Sequence, residues 1–97
     1  MDQITTTELK SLEDVSVIDV RETDEYSSGH VPGALNIPLA LVPLRINELD
    51  RDVTHYIICQ AGGRSAQACM YMAQQGFDVV NVAGGTGEWI AAGFPID

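Results

Sequence analysis

A cysteine followed by two glycines, an arginine and the start of a helix is the part of this chain best suited to chemistry. The segment reads Cys59-Gln60-Ala61-Gly62-Gly63-Arg64-Ser65. Glycines allow successive backbone N–H groups to turn toward one point and form an anion-binding nest, and the helix adds its unpaired first-turn N–H groups. Such surroundings lower the pKa of a cysteine from its usual value of about 8.5. The segment therefore predicts a nucleophilic thiolate at Cys59.

No histidine is placed to act as a base for this cysteine. His55 precedes Cys59 by four residues on the same expected strand, a distance of roughly 13 Å along an extended chain. His30 lies in the turn Gly29–Gly33, where a histidine is expected to bond backbone groups. A cysteine hydrolase with a histidine base is disfavoured, and backbone dipoles can activate Cys59 without one.

The other candidate groups favour structural roles. Cys69 falls on the apolar side of a helix and is interpreted as core filling; the alternative is a resolving thiol, which would have to approach Cys59. The two cysteines and two histidines match no zinc-ligand spacing, so no metal is expected. The segment Gly85-Thr86-Gly87 lacks the third glycine of a dinucleotide turn, and no cofactor is predicted.

Short apolar runs alternate with amphipathic stretches, which predicts an α/β fold with a mainly parallel sheet. Strands are expected at 15–20, 35–37, 56–58 and 79–82. A first helix is expected at 6–12, after a capping box formed by Thr5 and Glu8. A second is expected to begin at a cap at Thr23 or Asp24 and to end near Gly29. Further helices are expected at 39–49, at 65–75 and around Trp89. Pro43 must lie in the first turn of the 39–49 helix or split it. The apolar face of the 65–75 helix is predicted to consist of Ala66, Cys69, Met70 and Ala73.

Two of these units share one form: a strand, a glycine turn and a helix. The turns are Ala61-Gly62-Gly63 and Ala83-Gly84-Gly85. In a parallel sheet both turns lie at the carboxyl edge, where open α/β sheets place their ligand sites. Trp89, Ile90 and Phe94 then serve as apolar cover for the sheet.

Length and composition narrow the function further. The 97 residues suffice for one domain. The net charge of −9 and five scattered basic residues argue against nucleic-acid binding. No stretch is apolar enough to span a membrane or serve as a signal peptide, and two cysteines make no disulfide framework. A reducing cytoplasm is therefore the expected compartment.

Three segments resemble the motifs of a single-domain rhodanese, the thiosulfate sulfurtransferase-like family, and together they cover the chain. They are Ile18-Asp19-Val20-Arg21 continued by Glu22, Glu25, Tyr26 and Gly29 through Pro38; Cys59 through Ser65; and Val82 through Gly85 with Trp89 and Ala92 through Ile96. The resemblance implies one rhodanese-like domain over 1–97, a small parallel sheet flanked by helices on both faces.

The resemblance also implies roles for individual residues. Cys59 would carry the transferred sulfur, and the loop Gln60–Ser65 would cradle its persulfide, with Arg64 supplying a full positive charge nearby. Asp19 and Arg21 fall where the family places charged residues near the active-site edge, and a supporting salt bridge is expected between them.

The implied reaction moves a sulfane sulfur from thiosulfate or a low-molecular-weight persulfide to cyanide or a thiol. Thioredoxin and a protein persulfide stay open as partners. Two alternatives also stay open. One is a non-catalytic rhodanese-like binding or regulatory module. The other is a cysteine phosphatase or arsenate reductase, whose loop has one residue more between cysteine and arginine than the four residues found here.

Overall fold

The computed structural model describes residues 1–97 and contains a single five-stranded sheet in which every strand pair is parallel. The strand order is β1-β5-β4-β2-β3. The strands are β1 (Gln3–Ile4), β2 (Ser16–Asp19), β3 (Leu35–Asn36), β4 (His55–Ile58) and β5 (Val79–Val82). The predicted parallel α/β fold is confirmed. The strand that the sequence did not reveal is β1, because two residues at a sheet edge are too short to show alternation.

Helices cover both faces of the sheet, as expected. They are α1 (Thr6–Ser11), α2 (Thr23–Ser27), α3 (Val42–Arg45), α4 (Gly63–Gln74) and α5 (Gly85–Ala91). On β4, Ile57 joins an apolar cluster that includes α4, whereas its neighbour Ile58 joins a second cluster that includes α1 and α5. This alternation is the consequence of a strand whose two faces are both buried. No helix is long and apolar enough to cross a membrane.

The starts of the first two helices differ in how well the sequence predicted them. The capping box of α1 is confirmed: the Glu8 N–H donates to Thr5 Oγ1 at 3.1 Å and the Thr5 N–H donates to Glu8 Oε1 at 3.0 Å. The expected cap of α2 at Thr23 or Asp24 is wrong, because Glu22 occupies the cap position. Its N–H donates to Glu25 Oε1 at 3.0 Å, and Thr23 already begins the helix.

The predicted 39–49 helix is split. Leu39–Leu41 and Ile46–Glu48 are 3₁₀ turns on either side of α3. Pro43 lies in the first turn of α3 and has no N–H to donate to the carbonyl of Leu39. The tighter i to i+3 hydrogen bonds of the flanking turns replace a continuous α-helical ladder.

The predicted apolar face of α4 is wrong except for Cys69. The buried residues are Ser65, Ala68, Cys69 and Met72, whereas Met70 is 60% exposed. Both sets have helical spacing, and the predicted face left out Ser65 because it is polar. Ser65 is buried because its hydroxyl contacts the Cys59 thiol, so the helix is rotated relative to the expectation. Ile90, expected to cover the sheet, is also exposed, whereas Trp89 is buried.

Candidate active site

Cys59 lies directly after β4 at the carboxyl edge of the sheet, with its side chain in a ring of donors. The Gly62 N–H donates to Cys59 Sγ at 3.1 Å, and Ser65 Oγ lies 3.3 Å from the same sulfur. The chain can return to the sulfur within three residues because Gly62 adopts φ +110°, a conformation that favours glycine. The predicted nest around Cys59 is therefore present, with α4 beginning at its rim.

The two cysteines have opposite pKa shifts. Burial acts to raise the pKa of Cys59, but hydrogen bonds from the Ser65 hydroxyl and from the backbone N–H groups of Ser65, Gly62 and Ala61 outweigh it, and the pKa is lowered. Cys69 has no comparable donors, and burial together with the negative charge of Cys59 raises its pKa to about 11. Both thiols are 1% exposed within the same apolar cluster, so the hydrogen-bond donors and not burial distinguish them. The prediction of Cys69 as core filling is confirmed, and Cys59 is the thiol suited to act as a nucleophile.

The first turn of α5 holds the backbone of the cysteine loop. The Thr86 N–H donates to the carbonyl of Cys59 at 2.8 Å, and the Gly87 N–H donates to the carbonyl of Gln60 at 3.0 Å. Because C=O and N–H point in opposite directions in a trans peptide, binding the Gln60 carbonyl turns the Ala61 N–H away from α5 and toward the loop. The sequence predicted that the two glycine turns meet at one edge, and it gave no sign that one orients the other.

Asp19 and Arg21 form the expected salt bridge, and it is buried. Arg21 Nη2 lies 2.8 Å from Asp19 Oδ2, with side chains 4% and 0% exposed. The same guanidinium donates to the Gly29 carbonyl at 2.9 Å and to Gln60 Oε1 at 3.3 Å. The pair therefore ties the end of β2 to the turn after α2 and to the cysteine loop, which is a supporting role.

The positive charge of Arg64 is paired with a carboxylate, which the sequence analysis did not anticipate. Arg64 Nη1 and Nη2 donate to Glu25 Oε1 and Oε2 at 2.7 and 2.9 Å, a bidentate ion pair with Glu25 on α2. Hydrogen bonding to Arg64 is the main cause that lowers the pKa of Glu25 to about 2. Glu25 is one of the residues that resemble the family motif, but the sequence analysis assigned it no role. The feature that could have indicated its role is that this carboxylate follows β2, the strand that pairs with β4.

Neither histidine contacts Cys59. His55 is buried, with Nδ1 2.6 Å from Ser16 Oγ and Nε2 2.6 Å from the Asp50 carbonyl oxygen. His30 stacks on Tyr26 at 3.6 Å between ring centroids, and its Nδ1 lies 2.8 Å from the Tyr26 carbonyl oxygen. The expectation that His30 bonds a backbone group is confirmed. No group of three or more His, Cys, Asp or Glu residues is arranged to hold a metal ion.

The donors around Cys59 predict a measurable shift in its reactivity. Alkylation by iodoacetamide requires the thiolate, so the rate against pH should have its midpoint below that of a free thiol. Ser65→Ala removes the hydroxyl donor and should move this midpoint to higher pH, because the thiolate loses a hydrogen bond. Measuring both proteins with Cys69→Ser in place confines the signal to Cys59, and an unchanged midpoint in Ser65→Ala would contradict the assignment.

Comparison with known proteins assigns this architecture to one family. The family model described as the rhodanese-like domain matches residues 5–92. The chain is 42% identical to a sulfurtransferase of Allochromatium vinosum, over 91% of this chain and 83% of that protein. It is 36% identical to the thiosulfate sulfurtransferase GlpE of Pseudoalteromonas translucida, over 90% of this chain and 84% of that protein. The crystal structure of a rhodanese-related protein from Thermoplasma volcanium superposes with a TM-score of 0.94 at 33% identity, covering 100% of this chain and 98% of that one.

Proposed function

The chain belongs to the rhodanese-like domain family, and we propose that it is a sulfurtransferase that carries sulfane sulfur as a persulfide on Cys59. The sulfurtransferase-type role is supported by relatives that bear this name at 36–42% identity. The observation that carries the proposal is the set of donors aimed at Cys59 Sγ, which favours an anion at that sulfur in a site without a histidine base.

In the first half-reaction the Cys59 thiolate attacks the sulfane sulfur of the donor. With thiosulfate, a new S–S bond forms to Cys59, the S–S bond of thiosulfate breaks, and its electron pair leaves with sulfite. The product is a persulfide anion on Cys59. The N–H groups of Gly63 and Arg64 support this step, because they lie in the first turn of α4 and have no backbone acceptor within the protein. They are available to stabilise the outer sulfur.

In the second half-reaction an acceptor nucleophile attacks the outer sulfur and restores the Cys59 thiolate. Cyanide gives thiocyanate, and a thiolate gives a new persulfide. Both half-reactions are displacements at the same sulfane sulfur, so neither requires a further catalytic residue or cofactor. We infer a small donor and a thiol or cyanide acceptor, with thioredoxin or a protein persulfide as macromolecular candidates. Both cysteines are free thiols, which suits a reducing compartment such as the cytoplasm.

The loop length and the intact cysteine weigh against the alternatives. Four residues separate Cys59 from Arg64, which suits one outer sulfur atom better than the tetrahedral phosphate of a cysteine phosphatase. Arg64 is also turned toward Glu25, so it is not free to bind a phosphate oxygen. A pure binding module does not require a cysteine whose pKa is lowered by converging donors.

Initial-rate kinetics with thiosulfate and cyanide test this proposal. A covalent relay through Cys59 predicts ping-pong behaviour, in which double-reciprocal plots at several fixed cyanide concentrations are parallel. Single-turnover mixing should also release sulfite before cyanide is added. Intersecting plots, with no sulfite released in the absence of cyanide, would show direct transfer in a ternary complex and contradict the persulfide mechanism.

A further inference from the structure

Both cations near Cys59 are already paired with carboxylates. Arg21 is buried against Asp19, and Arg64 is held by both oxygens of Glu25. The pair of Arg64 and Glu25 is partly open to solvent, with side chains 36% and 32% exposed, respectively. The pair of Arg21 and Asp19 is buried. Of the two cations, Arg64 alone lies where an incoming donor could meet its charge, and that charge is cancelled.

Arg64 follows Cys59 by five residues and lies in the first turn of α4, at the rim of the loop that surrounds the sulfur. Its pKa is raised first by the hydrogen bond to Glu25 and, to a smaller extent, by the charges of Glu25 and of Cys59. Glu25 keeps its own charge at any assay pH above about 4, because its pKa is about 2. A donor that approaches Cys59 therefore meets a neutral pair rather than a cation, within a chain of net charge −9.

We propose that Glu25 sets the donor specificity of the site: by cancelling the charge of Arg64 it disfavours donors with two negative charges at the sulfane end, such as thiosulfate, and selects donors whose sulfane end carries at most one negative charge, as in persulfides of thiols. The proposal rests on the sulfurtransferase function proposed above. Glu25 touches neither sulfur nor donor and acts through Arg64, so it is a specificity-determining residue with a positioning role.

Glu25→Gln tests the proposal with two donors that differ by one charge. Thiosulfate is a dianion and methanethiosulfonate a monoanion; thiolate attack on the sulfane sulfur expels sulfite from the first and methanesulfinate from the second. Glutamine keeps one oxygen to accept from Arg64 and from the Glu22 N–H but removes the negative charge. We expect kcat/KM for thiosulfate to rise on the order of fivefold more than that for methanethiosulfonate, mainly through a lower KM and less so at high salt.

The ion pair of Arg45 and Glu48 supplies the matched control. Glu48→Gln makes the same change of net charge at an exposed pair on another part of the chain, and it should leave the ratio of the two donors unchanged. Arg64→Ala leaves Glu25 unpaired and should shift the ratio against thiosulfate. These opposite signs cannot arise from a general loosening of the fold.

The outcomes distinguish failure of the specificity role of Glu25 from failure of the proposed sulfurtransferase function. Turnover of both donors by wild type, with an equal response of both to Glu25→Gln, would overturn the specificity role and leave the sulfurtransferase function intact. Absence of turnover in wild type with thiosulfate, with methanethiosulfonate and with glutathione persulfide would overturn the proposed function and this inference with it. A ratio that rises in Glu25→Gln, falls in Arg64→Ala and stays constant in Glu48→Gln is the result we expect.

Discussion

Replacing Cys59 by serine is expected to lower the rate of thiocyanate formation from thiosulfate and cyanide by at least about 1000-fold, to the uncatalysed background. A serine hydroxyl is scarcely ionised near neutral pH and cannot form a persulfide. The fold should survive, because the smaller Oγ can still accept the hydrogen bond that the Gly62 N–H gives to Sγ. The measurement is the thiocyanate rate, with far-ultraviolet circular dichroism of the same sample.

Cys69→Ser is the matched control for this loss. It makes the same chemical change at a second buried thiol, one whose pKa is raised to about 11 and which the mechanism does not use. We expect it to keep most of the wild-type rate at a temperature where it remains folded. Equal losses in the two variants, both folded, would show that sulfur transfer does not depend on Cys59 in particular.

Gly85→Ala is expected to lower the free energy of unfolding by about 2–5 kcal/mol and to disable the cysteine loop. Gly85 has φ +61°, and a Cβ there would lie 2.5 Å from the Cys59 carbonyl oxygen and 2.6 Å from that of Gln60. The cost combines about 1–2 kcal/mol for the left-handed conformation with about 1–3 kcal/mol for overpacking. To relieve the clash, α5 must move away from the carbonyls that Thr86 and Gly87 bind.

Gly93→Ala separates the clash from the backbone strain. Gly93 has φ +78°, but nothing lies within 4 Å of its would-be Cβ. Its cost should be confined to about 1–2 kcal/mol, with activity retained. Urea unfolding compares the two variants, and the melting temperature of Gly85→Ala should fall by about 8 °C or more. Equal destabilisation of the two would mean that close packing of α5 on the loop does not stabilise the site.

The sequence predicted the position of Cys59 and the nest of donors around it because both are local. Cys59, the glycines after it and the start of α4 are contiguous, so residue type and spacing are enough to place them. The Asp19–Arg21 pair was also predictable, since its members are two residues apart on one strand end. Burial of Ser65 was not, because a polar residue that contacts Cys59 breaks the apolar pattern that the prediction of α4 relied on.

The pairing of Arg64 with Glu25 could not be predicted from the sequence, because it depends on a contact between residues that are far apart in the chain. Glu25 and Arg64 are far apart in the chain and meet because β2 pairs with β4 in parallel. The contact of α5 with the cysteine loop is likewise set by strand order, with β5 beside β4. Contacts of this kind decide how the loop is oriented and which charges are paired beside it, whereas the local sequence decides where the cysteine and its glycine turn lie.

Intact-mass measurement of the protein after incubation with thiosulfate tests the central claim most directly. We expect wild type to gain one sulfur atom, to lose it when cyanide is added, and to gain none when Cys59 is replaced by serine. The same gain on the Cys59→Ser variant would contradict the assignment of the sulfur to Cys59. No gain on wild type with thiosulfate, methanethiosulfonate or glutathione persulfide would contradict the persulfide carrier itself and leave a binding module as the better account.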